Sequence, residues 1–304
     1  MTSWRNAWWV LVVAATAQAC LSPLKSATMT HVAPELWLHP NVGSPDLIAL
    51  LASDTGWEDV RARTTTIGLH HAVLLDHCFQ GRGSCGVNTL DRLTPALDAA
   101  RTRGLRLSVE AAPIKEWDCT GDVLRGLLPQ YPVDSLSMDW PFAAGRQCGL
   151  TIADAAAIIR RWGVSRPILT TGYPMFGPAD HQAHLEALLG AGVILGGVHL
   201  DIDRLRVGRG AASDLRRIRA LVRDRGLPFG LIIWGERGTS TAAWAADARA
   251  SITNLLQDVY ACDVDRIIVQ SWSPVRDTNL KLWPLNLPSN NPDTLTGVAA
   301  RLPC

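Results

Sequence analysis

Neither sign of charge predominates in this 304-residue chain: 29 Lys and Arg stand against 28 Asp and Glu, a formal net charge of +1. With no dense basic stripe, the sequence carries no footprint for nucleic acid. Phe and Tyr are scarce, at four and three, whereas Trp reaches 12. Trp is a bulky apolar residue with one N–H donor, and its flat face also packs against the C–H groups of a sugar ring. No Cys-x-x-Cys occurs, which weakens a structural metal site. Gly-x-Ser-x-Gly is missing, so a serine nucleophile has little support. The His-x-His pair of barrel metallohydrolases is missing too. Arg206 to Gly210 holds two Gly and two Arg but lacks the Lys-Ser/Thr ending of a phosphate loop, and reads as a rim loop. No cofactor and no metal is expected. Beyond the N-terminus no uncharged apolar run nears the roughly 20 residues that span a bilayer.

The first 19 residues read as a signal peptide. Arg5 supplies a positive n-region, Ala7 to Ala15 a short apolar run, and Ala17-Gln18-Ala19 a small-residue cleavage site. Cys20 follows directly, so membrane anchoring through a lipidated Cys20 competes evenly with plain secretion. Residues 20–34 read as a tether and 35–304 as one catalytic domain. Six further cysteines remain, an even number that suits an exported, disulfide-bonded chain. Six allow 15 pairings. The expected set is sequential: Cys78 with Cys85, Cys119 with Cys148, and Cys262 with Cys304. The expected location is periplasm, cell envelope or medium, and the expected state a monomer.

Short apolar segments then alternate with longer helical patterns. The strand candidates are Glu35 to Pro40, Thr65 to Leu75, Leu105 to Pro113, Asp134 to Pro141, Pro167 to Pro174, Gly196 to Asp203, Pro228 to Glu236 and Arg266 to Pro274. Helical spacing marks Pro45 to Ala52, Leu90 to Arg103, Gly121 to Leu128, Ile152 to Trp162, Asp180 to Ala191, Ala212 to Arg225 and Ala242 to Tyr260. Strands apolar throughout and alternating with helices predict α/β architecture, a single (β/α)8 TIM barrel. An open doubly wound sheet would show a Gly-rich phosphate turn after strand 1. His39-Pro40-Asn41-Val42-Gly43 is no such turn.

In such a barrel the active site lies at the C-terminal strand ends. Side chains alternate faces along a strand. By that parity Trp37 with His39, Ser108 with Glu110, Ser137 with Asp139, His199 with Asp201 and Asp203, Trp234 with Glu236, and Gln270 with Trp272 point into the mouth. His70, His71, Asp76 and His77 end strand 2, and Tyr173 ends strand 5. Any one of these acids can cap a helix or pair with an Arg, Asp203 beside Arg204 above all. Their convergence is what favours function.

Several carboxyl groups and Trp faces around one concavity suit glycoside hydrolysis. That chemistry needs one carboxyl group of raised pKa and a second that attacks or activates water. Ser137-Met138-Asp139-Trp140, Ile233-Trp234-Gly235-Glu236 and Gln270-Ser271-Trp272 resemble the strand-4, strand-7 and strand-8 ends of the (β/α)8 glycoside hydrolases. By position the resemblance implies Asp139 as acid/base and Glu236 as nucleophile. Asp201 is the reserve catalytic group. Trp37, His39, His70, Glu110, Trp140, Tyr173, His199, Trp234, Gln270 and Trp272 are the candidates for binding a carbohydrate, with Trp117 a further stacking wall. Two alternatives stand beside this reading. One is a divalent-metal-dependent sugar isomerase or epimerase using Glu110, Asp139, His199, Asp201 and Glu236. The other is a non-catalytic, carbohydrate-binding envelope barrel.

Overall fold

The computed structural model describes residues 33–70, 88, 90–111, 119–122, 125, 133–208, 210–236, 240–271 and 284–304. Ala33–Cys304 form one compact unit. Its strands are β1 (Glu35–His39), β2 (Thr64–His70), β3 (Arg106–Ala111), β4 (Ser135–Asp139), β5 (Ile168–Tyr173), β6 (Gly197–Ile202), β7 (Phe229–Ile233) and β8 (Arg266–Gln270). Neighbouring strands are parallel, and β8 pairs back onto β1 from Glu35 opposite Arg266 to His39 opposite Gln270. The sheet is a closed eight-stranded barrel in chain order, as the strand–helix alternation predicts.

The helices are α1 (Leu47–Ala52), α2 (Glu58–Arg61), α3 (Leu90–Thr102), α4 (Pro141–Gln147), α5 (Ile152–Arg161), α6 (Pro178–Gly190), α7 (Ala211–Arg223), α8 (Thr241–Ser251) and α9 (Leu295–Ala299). α8 runs on into π-helical turns over Ile252–Gln257. Three helices were not anticipated. α2 and α9 are too short to show a helical period, and α4 starts at Pro141, which fits the first position of a helix as well as a strand end. Most of the expected helix Gly121 to Leu128 lies outside the described residues.

Period-2 alternation divides the apolar residues into two cores. Outward positions such as Leu38, Val109, Met138, Leu200, Ile233 and Val269 join the helix-covered core. Inward positions Trp37, Ile168, Ile232 and Ile268 form a separate cluster inside the barrel, with Trp234 packed on it. The N-terminal end is plugged. Glu35 accepts the Trp37 indole N–H at 3.1 Å and pairs with Arg106 at 3.1 Å and Arg266 at 3.3 Å. The Arg266 guanidinium lies 5.1 Å from the Trp37 ring centre. With the N-terminal end filled in this way, the C-terminal mouth is where chemistry is expected.

Two disulfides, Cys119–Cys148 and Cys262–Cys304, match the sequential expectation. Such bonds suit an oxidising compartment. Cys78 and Cys85 lie outside the described residues, as do Cys20 and the whole N-terminal segment. Among the described residues no helix is long and apolar enough to cross a membrane.

Candidate active site

Three carboxyl groups from three strands meet in the mouth. Glu110 sits near the end of β3 and is only 8% exposed. Burial, then the charges of Asp139 on β4 and Asp201 on β6, push its carboxyl well above the ordinary range. Asp139 and Asp201 are half-buried. Burial raises Asp201 to about 7, against the pull of the Trp234 indole N–H, which donates to Asp201 Oδ1 at 2.8 Å. Glu236 and Asp203 push Asp201 further up. Like charges held close in a low-dielectric mouth cannot all ionise together.

Histidines flank these acids. His39 Nδ1 lies 3.3 Å from Glu110 Oε2. Burial pulls His39 down to about 4. The two shifts, His39 down and Glu110 up, both disfavour an ion pair at this contact. His70 stands opposite Glu110 in the β2–β3 register and is buried. His199 is 2% exposed, and burial drives its pKa well below the usual value. Its ring packs edge-on against Trp37 at 5.0 Å. A cavity at the bottom of the mouth is lined by Trp37, His39, Ser108, Glu110, Ser137 and His199, among others.

Glycines make room for the rings. A Cβ on Gly68 of β2 would stand 3.2 Å from His39 Cγ, and one on Gly230 of β7 would stand 2.5 Å from His199 Cδ2. On β5, a Cβ on Gly172 would collide with the Trp140 ring, 2.7 Å from Cε2 and closer still to Cζ2. Trp140 has φ +43°, a left-handed conformation that bulky residues rarely adopt. The turn folds its indole over Gly172 of β5, which is opposite Asp201 in the register. An isolated Gly in an apolar strand signals such close approach, and this signal was available in the sequence.

Several expected residues fall elsewhere. Trp37 is the floor of the barrel, tied to Glu35 below, and forms no wall at the rim. Tyr173 shares the outward parity of Leu169, is buried in the helix-covered core, and donates to Asp214 Oδ2 of α7 at 3.2 Å. Gln270 follows inward Ile268 and sits half-buried opposite His39. Strand parity does not put Glu236 on the face of Trp234. β7 ends at Ile233, so strand alternation no longer governs residues 234–236. Its two oxygens accept the backbone N–H groups of Arg204 at 2.6 Å and Leu205 at 3.0 Å. Asp203 likewise lies past the end of β6 and pairs with Arg206 at 3.0 Å, not with Arg204. Trp117, Trp272, His71, Asp76 and His77 lie outside the described residues. Among the described residues no group of three or more His, Cys, Asp or Glu is arranged to hold a metal ion, so they lend the isomerase alternative no geometry.

No protein-family model matches the sequence, and no curated protein matches it. Solved structures do. A psychrophilic glycoside hydrolase family 10 endo-β-1,4-xylanase is similar over 88% of this chain and 97% of its own, at TM-score 0.53 and 10% identity. Tryptophan synthase from M. tuberculosis covers 89% of this chain and 93% of its own, at TM-score 0.48 and 18% identity. An HpcH/HpaI aldolase from Desulfitobacterium hafniense DCB-2 covers 80% and 87%, at TM-score 0.40 and 8% identity. At 10% identity the likeness to the xylanase shows the fold alone and leaves the chemistry to the site.

Proposed function

We propose that this protein is an exported glycoside hydrolase acting on a polysaccharide or oligosaccharide through carboxyl groups at the C-terminal mouth of the barrel. The observation that carries the reading is the cluster of Glu110, Asp139 and Asp201, in which burial and the two Asp charges raise Glu110 and burial raises Asp201 to about 7. Glycoside hydrolysis needs one carboxyl group that is protonated and one that is ionised, both facing the scissile bond. In this reading Asp201, raised to about 7, protonates the leaving oxygen. A proton donor of that pKa is matched to catalysis near neutrality. Asp139, two strands away and also facing the mouth, attacks the anomeric carbon or activates water. The Trp140 ring over Gly172 supplies the stacking face that holds a sugar ring. Glu110, buried beside His39, is pushed toward its protonated form by burial and by the Asp139 and Asp201 charges. The two disulfides support export.

The test is a polysaccharide panel read by release of reducing ends. Asp139→Asn and Asp201→Asn are each expected to lower turnover roughly 10²- to 10⁴-fold without loss of folding. Full activity in both variants overturns the assignment. Sugar affinity with no turnover on any glycan would turn the reading to the binding barrel.

A further inference from the structure

Glu236 is the acid that the resemblance implies as nucleophile, yet both its oxygens are occupied inside the fold. Successive backbone N–H groups, Arg204 at 2.6 Å and Leu205 at 3.0 Å, point at the one carboxylate. Paired backbone amides of this kind form an anion-binding nest. Here the anion is internal. The backbone N–H of Glu236 itself donates to Asp247 Oδ2 of α8 at 2.6 Å. Asp247 Oδ1 in turn accepts Arg204 Nη2 at 2.6 Å, and the same nitrogen donates to the Asp247 carbonyl at 3.0 Å. One turn on, Ser251 Oγ donates to the Trp234 carbonyl at 3.1 Å. Gly235 lets this segment lie flat on α8, because a Cβ there would strike the Trp244 carbonyl.

These bonds close a ring. From Asp201 the chain runs three residues to Arg204, whose N–H reaches Glu236. Two residues back from Glu236 is Trp234, whose indole N–H returns to Asp201 at 2.8 Å. The direction of the indole, and so of the Asp201 carboxyl, is fixed from both sides. Leu205, 51% exposed, is left standing on the rim by the same clamp. We infer that Glu236 is a positioning residue, which locks the loop after β6 to the end of β7 and thereby aims the Trp234–Asp201 pair into the mouth, and does not touch substrate. This rests on the reading of Asp201 as the proton donor only for its kinetic consequence. The geometric consequence stands without it.

The experiment therefore has two readouts. The first is the indole N–H resonance of Trp234, assigned by its loss in Trp234→Phe and followed across pH 4 to 9. It reports protonation of Asp201, with a wild-type midpoint near the value of about 7. Glu236→Gln removes one acceptor and the negative charge that raises Asp201. The resonance is expected to shift, and its midpoint to move to lower pH. The other acids that face Asp201, Glu110 and Asp203, are unchanged by this substitution. Asp247→Asn loosens the clamp from the far side while keeping the Glu236 charge, and should displace the resonance through geometry alone, which serves also if Glu236→Gln folds poorly. An unaltered resonance and midpoint in both variants overturns the inference, whatever the enzyme's substrate. The second readout is kinetic, on any glycan that the wild type turns over. Glu236→Gln should lower kcat ten- to a hundredfold, as for a misplaced catalytic group, with the limb of the pH profile due to Asp201 displaced. A loss beyond about 10⁴-fold with the Trp234 titration intact would make Glu236 a reacting group. If no glycan is turned over by the wild type, the hydrolase reading fails while the resonance still decides the role of Glu236.

Discussion

An Asp in an unfolded chain titrates near 4, whereas Asp201 in the folded barrel titrates at about 7, chiefly through burial. Between those values the folded state holds a proton that the unfolded chain has released. The contribution of this carboxyl to stability is therefore fully present below about pH 4 and is lost as pH rises through 7. His39, pulled down to about 4 by burial, acts in the opposite sense. It is neutral in the fold, so its contribution is present above the unfolded value near 6.5 and is lost on acidification. The two slopes oppose each other across the same window. Asp201→Asn removes one of them and keeps an oxygen to accept the Trp234 N–H. The variant should exceed the wild type in stability by on the order of 1–3 kcal/mol at pH 8 and converge with it near pH 4. Urea midpoints at the two pH values measure this. An equal difference at both would mean that Asp201 has an ordinary carboxylate pKa in the fold.

The end of β4 and the middle of the β5 inward face act together, since Trp140 leaves β4 in a left-handed turn and lays its ring over Gly172. Gly172→Ala puts a methyl group where the indole lies. Neither the barrel backbone nor the stiff ring can give by that much, so the indole is expected to leave the mouth. Overpacking of this kind costs about 1–3 kcal/mol. The expected result is a drop in Trp fluorescence shielding and in sugar affinity, with the barrel still folded by circular dichroism. Retained affinity with an unmoved indole would remove Trp140 from the binding face. Much of this was open to sequence reading, because each strand carries its own two-residue period. Two-residue alternation puts Glu110, Asp139, His199 and Asp201 on the inward face, where Glu110 and His199 line the inner cavity and Asp201 accepts the Trp234 indole. The same count, had it been applied to Thr170, Thr171 and Gly172, would have sent Tyr173 outward to Asp214. Counting fails where the strand stops. Asp203 and Glu236 lie past the ends of β6 and β7, and their directions are set by loop amides and by Asp247 on α8. These partners are remote in sequence, so no local pattern announces them.

The barrel as a whole divides its labour between its two ends. At the N-terminal end Glu35 gathers Trp37, Arg106 and Arg266 beneath the inner core, and no reacting group is needed there. Cys262 lies in the turn just before β8, so its bond to Cys304 ties the chain terminus to that same end of the barrel. This bond closes a separation of 42 residues, and Cys119–Cys148 one of 29. In the chain-entropy account each such crosslink stabilises by about 3–4 kcal/mol through the unfolded state. Closing the barrel requires β1 to meet β8 across almost the whole sequence, so a constraint beside β8 opposes opening of that seam. Cys262→Ala with Cys304→Ala is expected to lower the denaturation midpoint strongly while leaving kcat within about twofold at temperatures where the variant stays folded, since the bond lies at the end of the barrel opposite the mouth. Asp139→Asn should do the reverse, with turnover lost and the midpoint nearly unchanged. Measuring both quantities on both variants checks the division directly. A disulfide variant that loses turnover while still folded would show that the mouth depends on the seam, and that the two ends are mechanically coupled through β8.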